Sequence, residues 1–303
     1  MRIFIFGAGS LGSALGGVLA DRNEVVLIGR REHVRAVQRN GLKILGDLNR
    51  TVHLEAYESL RGLDPPQLLV ITTKAYDTRA SIRSLRGSVH DETMVLTLQN
   101  GLGNLEQLRV WKAEKAFGGT TTMGAALVGP GTVRLSGLGR TIVGSDLDPR
   151  GARRIVSAFS SSGLHATSRK DVLDEIWTKA IVNASMNPVA AVLRVPNGRL
   201  IGSPVVSRLM KEICGECLLV AGASGVKLTS ERLNRRIAAV CRDTAENRGS
   251  MLQDVERGRK TEIEQINGEF SARGNVVDVP TPLNDALVSI IRSLANATAS
   301  EKG

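Results

Sequence analysis

The strongest constraint on the fold is a glycine-rich loop between a strand pattern and a helix pattern at the start of the chain. Residues 2–6 read RIFIF, and the loop Gly7-Ala8-Gly9-Ser10-Leu11-Gly12 follows directly and opens the helical pattern LGSALGGVLADR. A bare GxGxxG is weak evidence, but this context is typical of a dinucleotide-binding βαβ unit. Gly7 permits the tight turn, Gly9 lets a pyrophosphate approach the backbone, and Gly12 lets helix and strand pack closely. The loop is the predicted phosphate site, at the positive end of the helix, and a purely structural glycine turn is the alternative.

The end of the second predicted strand carries arginine where NAD-specific folds usually carry an acidic residue. Residues 24–28 form this strand, and Gly29-Arg30-Arg31 follows it. An acidic side chain there would bind the ribose 2′-hydroxyl, whereas a guanidinium neutralises a 2′-phosphate. The pair therefore favours NADP(H), with Arg30 the better candidate. The alternative is two solvated arginines at a helix N-terminus, which is an unfavourable place for cations.

Two more polar side chains close predicted parallel strands. Lys74 follows the strand pattern 67–73, and Asn100 follows the strand pattern 94–98. Ligands of open parallel sheets bind beyond the carboxyl ends of the strands. We expect Lys74 to donate to cofactor or substrate oxygens, and Asn100 to bond the nicotinamide ribose or the region of the reacting carbonyl.

The fold class predicted is α/β, with an N-terminal Rossmann-type parallel-sheet domain at residues 1–168 and an all-helical C-terminal domain at 169–303. Residues 116–145 are rich in glycine and β-like, and are predicted to form hairpins that close the sheet, with the threonines at 120–122 near the cofactor. A helix from Pro149 and a short segment around His165 follow. Beyond Lys170 nearly every pattern has a helical period.

The segment 172–198 places three strong polar side chains in a helix that otherwise reads as buried. Lys179, Asn183 and Asn187 stand at i, i+4 and i+8, so they drift by about 40° per step and form one stripe. Pro188 is predicted to end the regular hydrogen bonding just past Asn187. A solvated helix face, the alternative, would show mixed Glu and Lys rather than Asn, a poor helix former. The stripe is therefore predicted to line a partly desolvated groove.

Two stretches of the helical half add candidate site residues. Ser250 lies at a bend relaxed by Gly249, where its hydroxyl is placed to bind a substrate carboxylate or hydroxyl. The run 259–268 is predicted to open a helix, and Glu262 within it is placed to bond Lys179 or a substrate hydroxyl and to tune the lysine pKa. The alternative for Glu262 is a favourable charge in the first turn of that helix.

Composition narrows the partners. The 303 residues carry a net charge of +10, which attracts anionic ligands, but aromatic residues make up only 3% and no basic block interleaves with them, so nucleic acid is not an expected partner. The chain shows no signal-peptide pattern and no apolar run long enough for a bilayer, which predicts a cytoplasmic protein without membrane contact. The four histidines and the CxxC at 214–217 lack metal-ligand spacing, so no metal is predicted and the thiols are assigned to the core.

Taken together, these residues resemble the ketopantoate reductases, also called 2-dehydropantoate 2-reductases. The likeness runs the whole length and is carried by the motifs GAGSLG, TTKA, LQNGLG, GTTT, WTKAIVNASMNPVAAVLRVPNG and ENRGSMLQDVERGRKTEIEQING. It implies a Rossmann domain, a helical domain, and reduction of ketopantoate to (R)-pantoate by NADPH for pantothenate and coenzyme A synthesis. We expect the chain to act as a monomer or homodimer.

The resemblance also implies roles for individual residues. Lys179 would be the acid and orient the substrate, and Glu262 would be the family's active-site glutamate. The residues expected around the substrate are Asn183, Asn187, Asn197, Ser250 and Asn100. Lys74, Asn100 and Glu262 are also expected at the cofactor.

The chemistry agrees with these residue types. Hydride delivery to the C2 carbonyl of a 2-keto acid builds negative charge on the oxygen, and an ammonium within hydrogen-bond reach stabilises that charge and supplies the proton. The apolar surroundings in 176–186 should lower the lysine pKa toward neutrality. Another NAD(P)H-dependent 2-keto acid or opine-type dehydrogenase of the same plan remains open, as does, in a different class, a non-catalytic NADPH-binding protein or basic nucleic-acid scaffold.

Overall fold

The structure is a computed structural model that describes residues 1–300. Apart from three short 3₁₀ turns, its strands and helices follow one another in this order: β1 (Arg2–Phe6), α1 (Ser10–Leu19), β2 (Glu24–Ile28), α2 (Arg31–Asn40), β3 (Leu42–Gly46), β4 (Arg50–Val52), β5 (Glu55–Tyr57), β6 (Leu68–Ile71), α3 (Thr78–Leu85), β7 (Met94–Thr97), α4 (Asn104–Lys112), β8 (Ala116–Thr121), β9 (Gly124–Gly129), β10 (Thr132–Gly137), β11 (Arg140–Gly144), α5 (Pro149–Ser160), β12 (His165–Ser168), α6 (Val172–Leu193), α7 (Pro204–Ala223), α8 (Ser230–Asp243), α9 (Ser250–Glu256), α10 (Asn267–Val276) and α11 (Pro282–Ser300).

The chain divides into two compact units. The first comprises residues 1–99 and 104–175, and the second comprises residues 100–103 together with the chain from 176 onward. An α/β region followed by a helical region is therefore confirmed. The boundary at residue 168 remains a prediction about where the functional domains separate.

The first unit is organised by an eight-stranded sheet of order β12-β11-β8-β7-β6-β1-β2-β5. Neighbouring strands from β8 to β5 pair in parallel, and β11 joins antiparallel to β8. Apart from Phe6, which is partly exposed, the apolar side chains of β1, β2, β6 and β7 are almost fully buried, as expected for strands covered on both faces. The loops after β1, β2 and β6 thus emerge at one edge, with β1 at the point where the strand order reverses.

A second sheet of order β4-β3-β10-β9 makes the prediction for residues 116–145 partly wrong. β8 and β11 do extend the main sheet, but the hairpin β9–β10 pairs instead with β3, which lies far earlier in the chain. Helix α1 packs against both sheets through adjacent glycines. A Cβ at Gly16 would come within 2.6 Å of Leu27, and one at Gly17 within 2.6 Å of Ile44.

Helix α6 leads the second unit and does not end at Pro188 as predicted. It continues to Leu193 although proline interrupts its hydrogen bonding. Pro188 has no N–H to donate to the carbonyl of Ala184, four residues earlier. That carbonyl accepts a hydrogen bond from Nδ2 of Asn267 on α10, at 3.1 Å. A donor from another helix therefore satisfies the interrupted turn.

Packing fixes the orientation of α6 within the second unit. The ring of Trp177 meets the ring of Phe270 of α10 edge-on, with 5.8 Å between centroids. The guanidinium of Arg273 stacks over the Trp177 ring, 5.4 Å from its centroid.

The three cysteines, Cys214, Cys217 and Cys241, are buried, which confirms them as core thiols. Within residues 1–300, no helix combines the length and apolar character needed to cross a bilayer.

Candidate active site

The predicted polar stripe is the only partly exposed part of the central segment of α6. Across residues 177–191, every position is buried except Lys179, Asn183 and Asn187. An ordinary amphipathic surface helix exposes a broad polar face, whereas this helix exposes one line of three side chains. The accessible surface of this stretch is thus formed by one ammonium and two carboxamides, which suits it to bind a small polar ligand.

Burial changes the acidity of the amine on this stripe. Desolvation lowers the pKa of Lys179 from 10.5 to about 8, and the negative charge of Glu262 acts in the opposite direction and raises it. Lys179 therefore holds a proton near neutral pH but releases it more readily than an ordinary lysine.

Glu262 is itself buried, 6% exposed, and is held by Asn100. Nδ2 of Asn100 donates to Oε2 of the carboxylate at 3.3 Å. Glu262 does not lie in a helix as predicted, because α10 begins only at Asn267. It opens a turn in which its carbonyl accepts from the N–H groups of Gln265 and Ile266, at 3.1 and 3.0 Å. The proposed first-turn helix charge therefore does not explain this residue.

The segment 100–103 is fixed against the same turn. Leu102 N–H donates to the carbonyl of Gln265 at 3.1 Å. Gly101 has φ +82°, and a Cβ there would lie 2.0 Å from that carbonyl oxygen, so only glycine fits. This contact brings Asn100 to Glu262, although the two residues are far apart in sequence.

Asn187 and Asn197 turn their side-chain oxygens toward Gly249. A Cβ at Gly249 would lie 3.6 Å from Oδ1 of Asn197 and 3.9 Å from Oδ1 of Asn187. Asn197 is oriented by its Nδ2, which donates to Thr244 Oγ1 at 2.9 Å. The exposed Ser250 follows as the first residue of α9. The second unit thus contains two sets of predicted site residues. One set is Lys179, Glu262 and Asn100, and the other is Asn187, Asn197 and Ser250. Asn183 lies between the two sets on α6.

The glycine loop of the first unit has the geometry of a phosphate cradle. A Cβ at Gly12 would strike the Gly7 carbonyl at 2.3 Å, so Gly12 is needed for packing, whereas one at Gly9 would meet only that oxygen, at 3.9 Å. Space is therefore left open beside Gly9. The first turn of α1 contains no acidic residue, and its N–H groups have no acceptor inside the helix. These features fit a bound pyrophosphate.

Several backbone and side-chain groups of this loop have structural tasks. The N–H groups of Gly7 and Ala8 both donate to the carbonyl of Ile28, at 3.0 and 2.9 Å. The hydroxyl of Ser10 accepts from Leu127 N–H at 2.9 Å, and Leu11 packs against the core. The donors left available to a phosphate are therefore the backbone N–H groups at positions 10–12 and the O–H of Ser10, which accepts from Leu127 and can still donate, but not the N–H of Ala8.

The two arginines after β2 differ in their surroundings. Arg31 pairs with Glu58, with 3.2 Å between Nε and Oε1. Arg30 is exposed at the N-cap of α2 and forms no ion pair with the described residues. Lys74 is partly buried and lies three residues beyond the end of β6, at the N-cap of a 3₁₀ turn. No cluster of acidic, histidine or cysteine side chains suited to a metal ion occurs in the described part of the chain.

Two family models match this chain. The model described as Ketopantoate reductase PanE/ApbA matches residues 3–147, and the model described as Ketopantoate reductase PanE/ApbA C terminal matches residues 171–295. The protein belongs to the ketopantoate reductase family. It is accordingly an oxidoreductase with an NAD(P)H-binding fold.

Individual ketopantoate reductases match over nearly the full length. The 2-dehydropantoate 2-reductase of Pyrococcus horikoshii is 36% identical over 298 residues, covering 97% of each chain. The crystal structure of a PanE/ApbA family ketopantoate reductase from Ralstonia eutropha superposes with a TM-score of 0.91 at 28% identity, covering 98% of this chain and 99% of that one. A ternary structure of D-mandelate dehydrogenase with NADH and anilino(oxo)acetate superposes with a TM-score of 0.92 at 28% identity and the same coverage.

Sequence reasoning missed two residues that support the dinucleotide loops. Gln99 donates through Nε2 to the Thr73 carbonyl at 3.0 Å and to Thr78 Oγ1 at 2.9 Å, which braces the turn that carries Lys74. His33 is 5% exposed. Its Nδ1 accepts from Gly131 N–H at 3.1 Å, so the neutral ring carries its proton on Nε2, beside the Ser13 hydroxyl at 3.0 Å. Only the position of Gln99 at a predicted strand end hinted at its task.

Proposed function

We propose that the protein is a 2-dehydropantoate 2-reductase, which uses NADPH to reduce 2-dehydropantoate (ketopantoate) to (R)-pantoate in pantothenate and coenzyme A biosynthesis. The carrying observation is the stripe of Lys179, Asn183 and Asn187, the only partly exposed residues in an otherwise buried stretch of helix. Family membership and the names of the curated relatives support the same reaction.

Lys179 is assigned the role of general acid. When bound, the reduced nicotinamide supplies a hydride to C2 of the keto acid. The C2 oxygen gains negative charge as it becomes an alkoxide, and the ammonium of Lys179 stabilises that charge and transfers its proton to the oxygen. A pKa of about 8 suits this role, because the amine is protonated near neutral pH and yet is a better proton donor than a solvated lysine.

Glu262 keeps that pKa from falling further. Without a nearby negative charge, desolvation would drive the amine toward its neutral form, which cannot donate the proton. The carboxylate raises the Lys179 pKa, and Asn100 holds the carboxylate in place. Glu262 is thus assigned to the active site beside Lys179.

The neutral polar side chains are assigned to substrate binding. Asn183, Asn187, Asn197 and Ser250 can donate and accept hydrogen bonds without titrating near neutral pH. They can therefore bind the carboxylate and hydroxyl oxygens of the substrate without competing for the proton of Lys179.

Residues 1–168 are assigned to the cofactor and residues 169–303 to the substrate. The loop of residues 7–12 would hold the pyrophosphate through the N–H groups at positions 10–12, and Lys74, Asn100 and Glu262 would contact the cofactor nearer its reacting end. NADPH is preferred over NADH because Arg30, unlike Arg31, has no carboxylate partner among the described residues and is available to neutralise a 2′-phosphate.

Replacement of the amine tests the proposed reaction. We expect Lys179→Ala to lower kcat for ketopantoate reduction by about 10²- to 10⁴-fold, the usual scale for a lost general acid, with little change in NADPH affinity. Lys211→Ala, at an exposed lysine of the same unit, is the matched control. A wild-type kcat in Lys179→Ala would remove the proposed mechanism.

A second candidate is reduction of a different 2-keto acid, favoured by the close structural likeness to D-mandelate dehydrogenase. Ketopantoate has a branched aliphatic substituent, whereas the 2-keto acid that corresponds to mandelate carries an aromatic ring. Initial rates with NADPH and with NADH for ketopantoate, pyruvate, oxaloacetate and an aromatic 2-keto acid separate the two. A higher kcat/KM for any of the others than for ketopantoate would overturn the first assignment.

A further inference from the structure

A hydrogen-bond chain in the second unit begins at the proline of α6. The carbonyl of Ala184 lies between Asn183 and Asn187 in sequence and lacks its helical donor because residue 188 is proline. Asn267 supplies a donor through Nδ2 at 3.1 Å. The side chain of Asn267 thereby contacts the backbone of the helical turn that carries the two stripe amides.

The amide of Asn267 has only one orientation that satisfies its neighbours. Its Nδ2 also donates to Oδ1 of Asn284, at 2.9 Å, so both of its N–H groups point at oxygens. A reversed amide would set its own oxygen against those two acceptors. Asn267 is 0% exposed, so water cannot replace either bond at no cost.

Asn284 is in turn fixed by a carboxylate. Its Nδ2 donates to Oε2 of Glu216 at 2.7 Å, which directs its Oδ1 toward Asn267. The same carboxylate accepts from the N–H groups of Leu283 and Asn284, at 2.9 and 3.1 Å, in the first turn of α11. A negative charge is favourable at this end of a helix. The hydrogen-bond chain that begins at Ala184 therefore ends at a carboxylate that three hydrogen bonds hold against the start of α11.

Asn267 is also tied to the active-site carboxylate by the backbone. It is the first residue of α10 and directly follows the turn opened by Glu262. That turn is closed by the bonds from Gln265 and Ile266 N–H to the Glu262 carbonyl, and Gly268 N–H donates to Ile263 O at 3.0 Å. A side chain fixed at position 267 thus fixes the base of the turn that carries Glu262.

We propose that Asn267 is a positioning residue for the reduction, which fastens the Asn183–Asn187 turn of α6 to the Glu262 turn and is itself held by Asn284 and Glu216. The inference rests on the roles proposed above for Lys179 and Glu262. It adds that the spacing between the stripe and the carboxylate is set by this buried amide.

The distance between the Glu262 turn and α6 affects the acidity of Lys179. Glu262 is the charged group that raises the Lys179 pKa against desolvation, and the titratable groups beside the amide chain itself are Glu216 and Cys217. Loosening the Glu262 turn would weaken its attraction for the ammonium. The Lys179 pKa would then fall, and the activity would decline at a lower pH than in the wild type.

A double-variant cycle with Pro188 separates positioning from simple stability. Asn267→Ala removes the donor to Ala184 O, and we expect kcat/KM for ketopantoate to fall about tenfold or more, the scale of one broken buried hydrogen bond. The Kd of NADPH should change much less, because Glu262 is only one of the contacts assigned to the cofactor. We also expect the high-pH limb of kcat/KM to move to lower pH. Pro188→Ala alone gains a helical N–H but keeps Asn267, so its limb should match the wild type.

The double variant Pro188→Ala/Asn267→Ala decides the matter. Its helix can satisfy Ala184 O, so its Tm should recover toward the wild type while its pH limb stays displaced, because the tether is still missing. Three results would each overturn the inference. The double variant could recover the wild-type high-pH limb of kcat/KM together with its Tm, Asn267→Ala could keep the wild-type limb, or Pro188→Ala could show an equal displacement of the limb. If Asn267→Ala alone fails to fold, the limb of the double variant gives the answer.

The proposed function and this inference fail in different ways. A wild-type kcat in Lys179→Ala would refute the proposed mechanism whatever the position 267 variants do. A wild-type pH limb in Asn267→Ala, in a protein that Lys179→Ala inactivates, would refute only the positioning role.

Discussion

The pH dependence of catalysis is the sharpest test of the state of Lys179. The lysine pKa is lowered from 10.5 to about 8, mainly by desolvation, and Glu262 partly opposes the change. At ~1.4 kcal/mol per pKa unit, this difference corresponds to about 3 kcal/mol by which the folded protein disfavours the protonated amine. A general acid must be protonated to act, so kcat/KM for reduction should be level below pH 8 and fall tenfold per pH unit above it.

Two substitutions identify the group behind that limb. Glu262→Gln removes the charge that raises the Lys179 pKa, so the limb should move to lower pH. Glu264→Gln is the matched control, since that carboxylate pairs with Arg292 on the surface. Lys179→Arg keeps a positive charge that does not titrate in this range, so the limb should disappear from whatever activity remains. The assay is the initial rate at saturating NADPH and low keto acid, measured from the loss of NADPH absorbance.

The reasoning is refuted if the wild-type limb lies near pH 10.5 or if it persists in Lys179→Arg. Stability gives an independent check. Between pH 8 and 10.5 the unfolded chain binds a proton on this lysine that the folded chain has released, so the free energy of unfolding should rise with pH by at most about 3 kcal/mol. Lys179→Met cannot titrate, and the difference between its unfolding curves and those of the wild type should show this rise.

Three further predictions concern the first unit. Arg30→Ala should raise the Kd of NADPH at least about tenfold, roughly 1.4 kcal/mol, and that of NADH much less, whereas Arg31→Ala should spare both; equal losses would show that Arg30 does not read the 2′-phosphate. Gly9→Ala should fold with an unchanged Tm, because its Cβ meets only one atom at 3.9 Å, yet bind NADPH at least about tenfold more weakly by titration; an unchanged Kd would place the pyrophosphate elsewhere. Burial lowers the pKa of His33 from 6.5, so the unfolded chain takes up the proton first and the Tm should fall as the pH drops through 6.5. His33→Gln should flatten that decline, and a decline that persists would assign it to other groups.

Local sequence patterns were sufficient wherever the structure is set by near neighbours. Strands 2–6 and 24–28 have the bounds expected from their apolar runs, and the stripe on α6 follows from spacing alone. Glycine, proline and apolar periodicity act over a few residues, so they are visible in a single sequence. The order of these elements then limits the topology to a few choices.

Features that depend on distant partners could not be predicted. Strands β3 and β10 pair across about half of the first unit, and no local pattern shows which short strand joins which sheet. Helix α6 passes Pro188 because a donor arrives from residue 267, which lies 83 positions from the carbonyl it satisfies. Asn100 reaches Glu262 because Gly101 packs on the carbonyl of Gln265. In each case the deciding contact joins residues that are far apart in sequence, so the sequence of the segment itself does not show it.

The proline within α6 has a consequence for protein engineering. A designer who transplants the 172–198 segment into a host protein would also import a carbonyl that the helix cannot satisfy, and an unmet buried acceptor costs about 1–3 kcal/mol. The transplant must therefore include the amide of Asn267 with its support from Asn284, or exchange Pro188 for a residue that restores the helical donor. With Pro188 kept, the 172–198 segment is therefore portable only as a set of three helices, α6, α10 and α11, rather than as one.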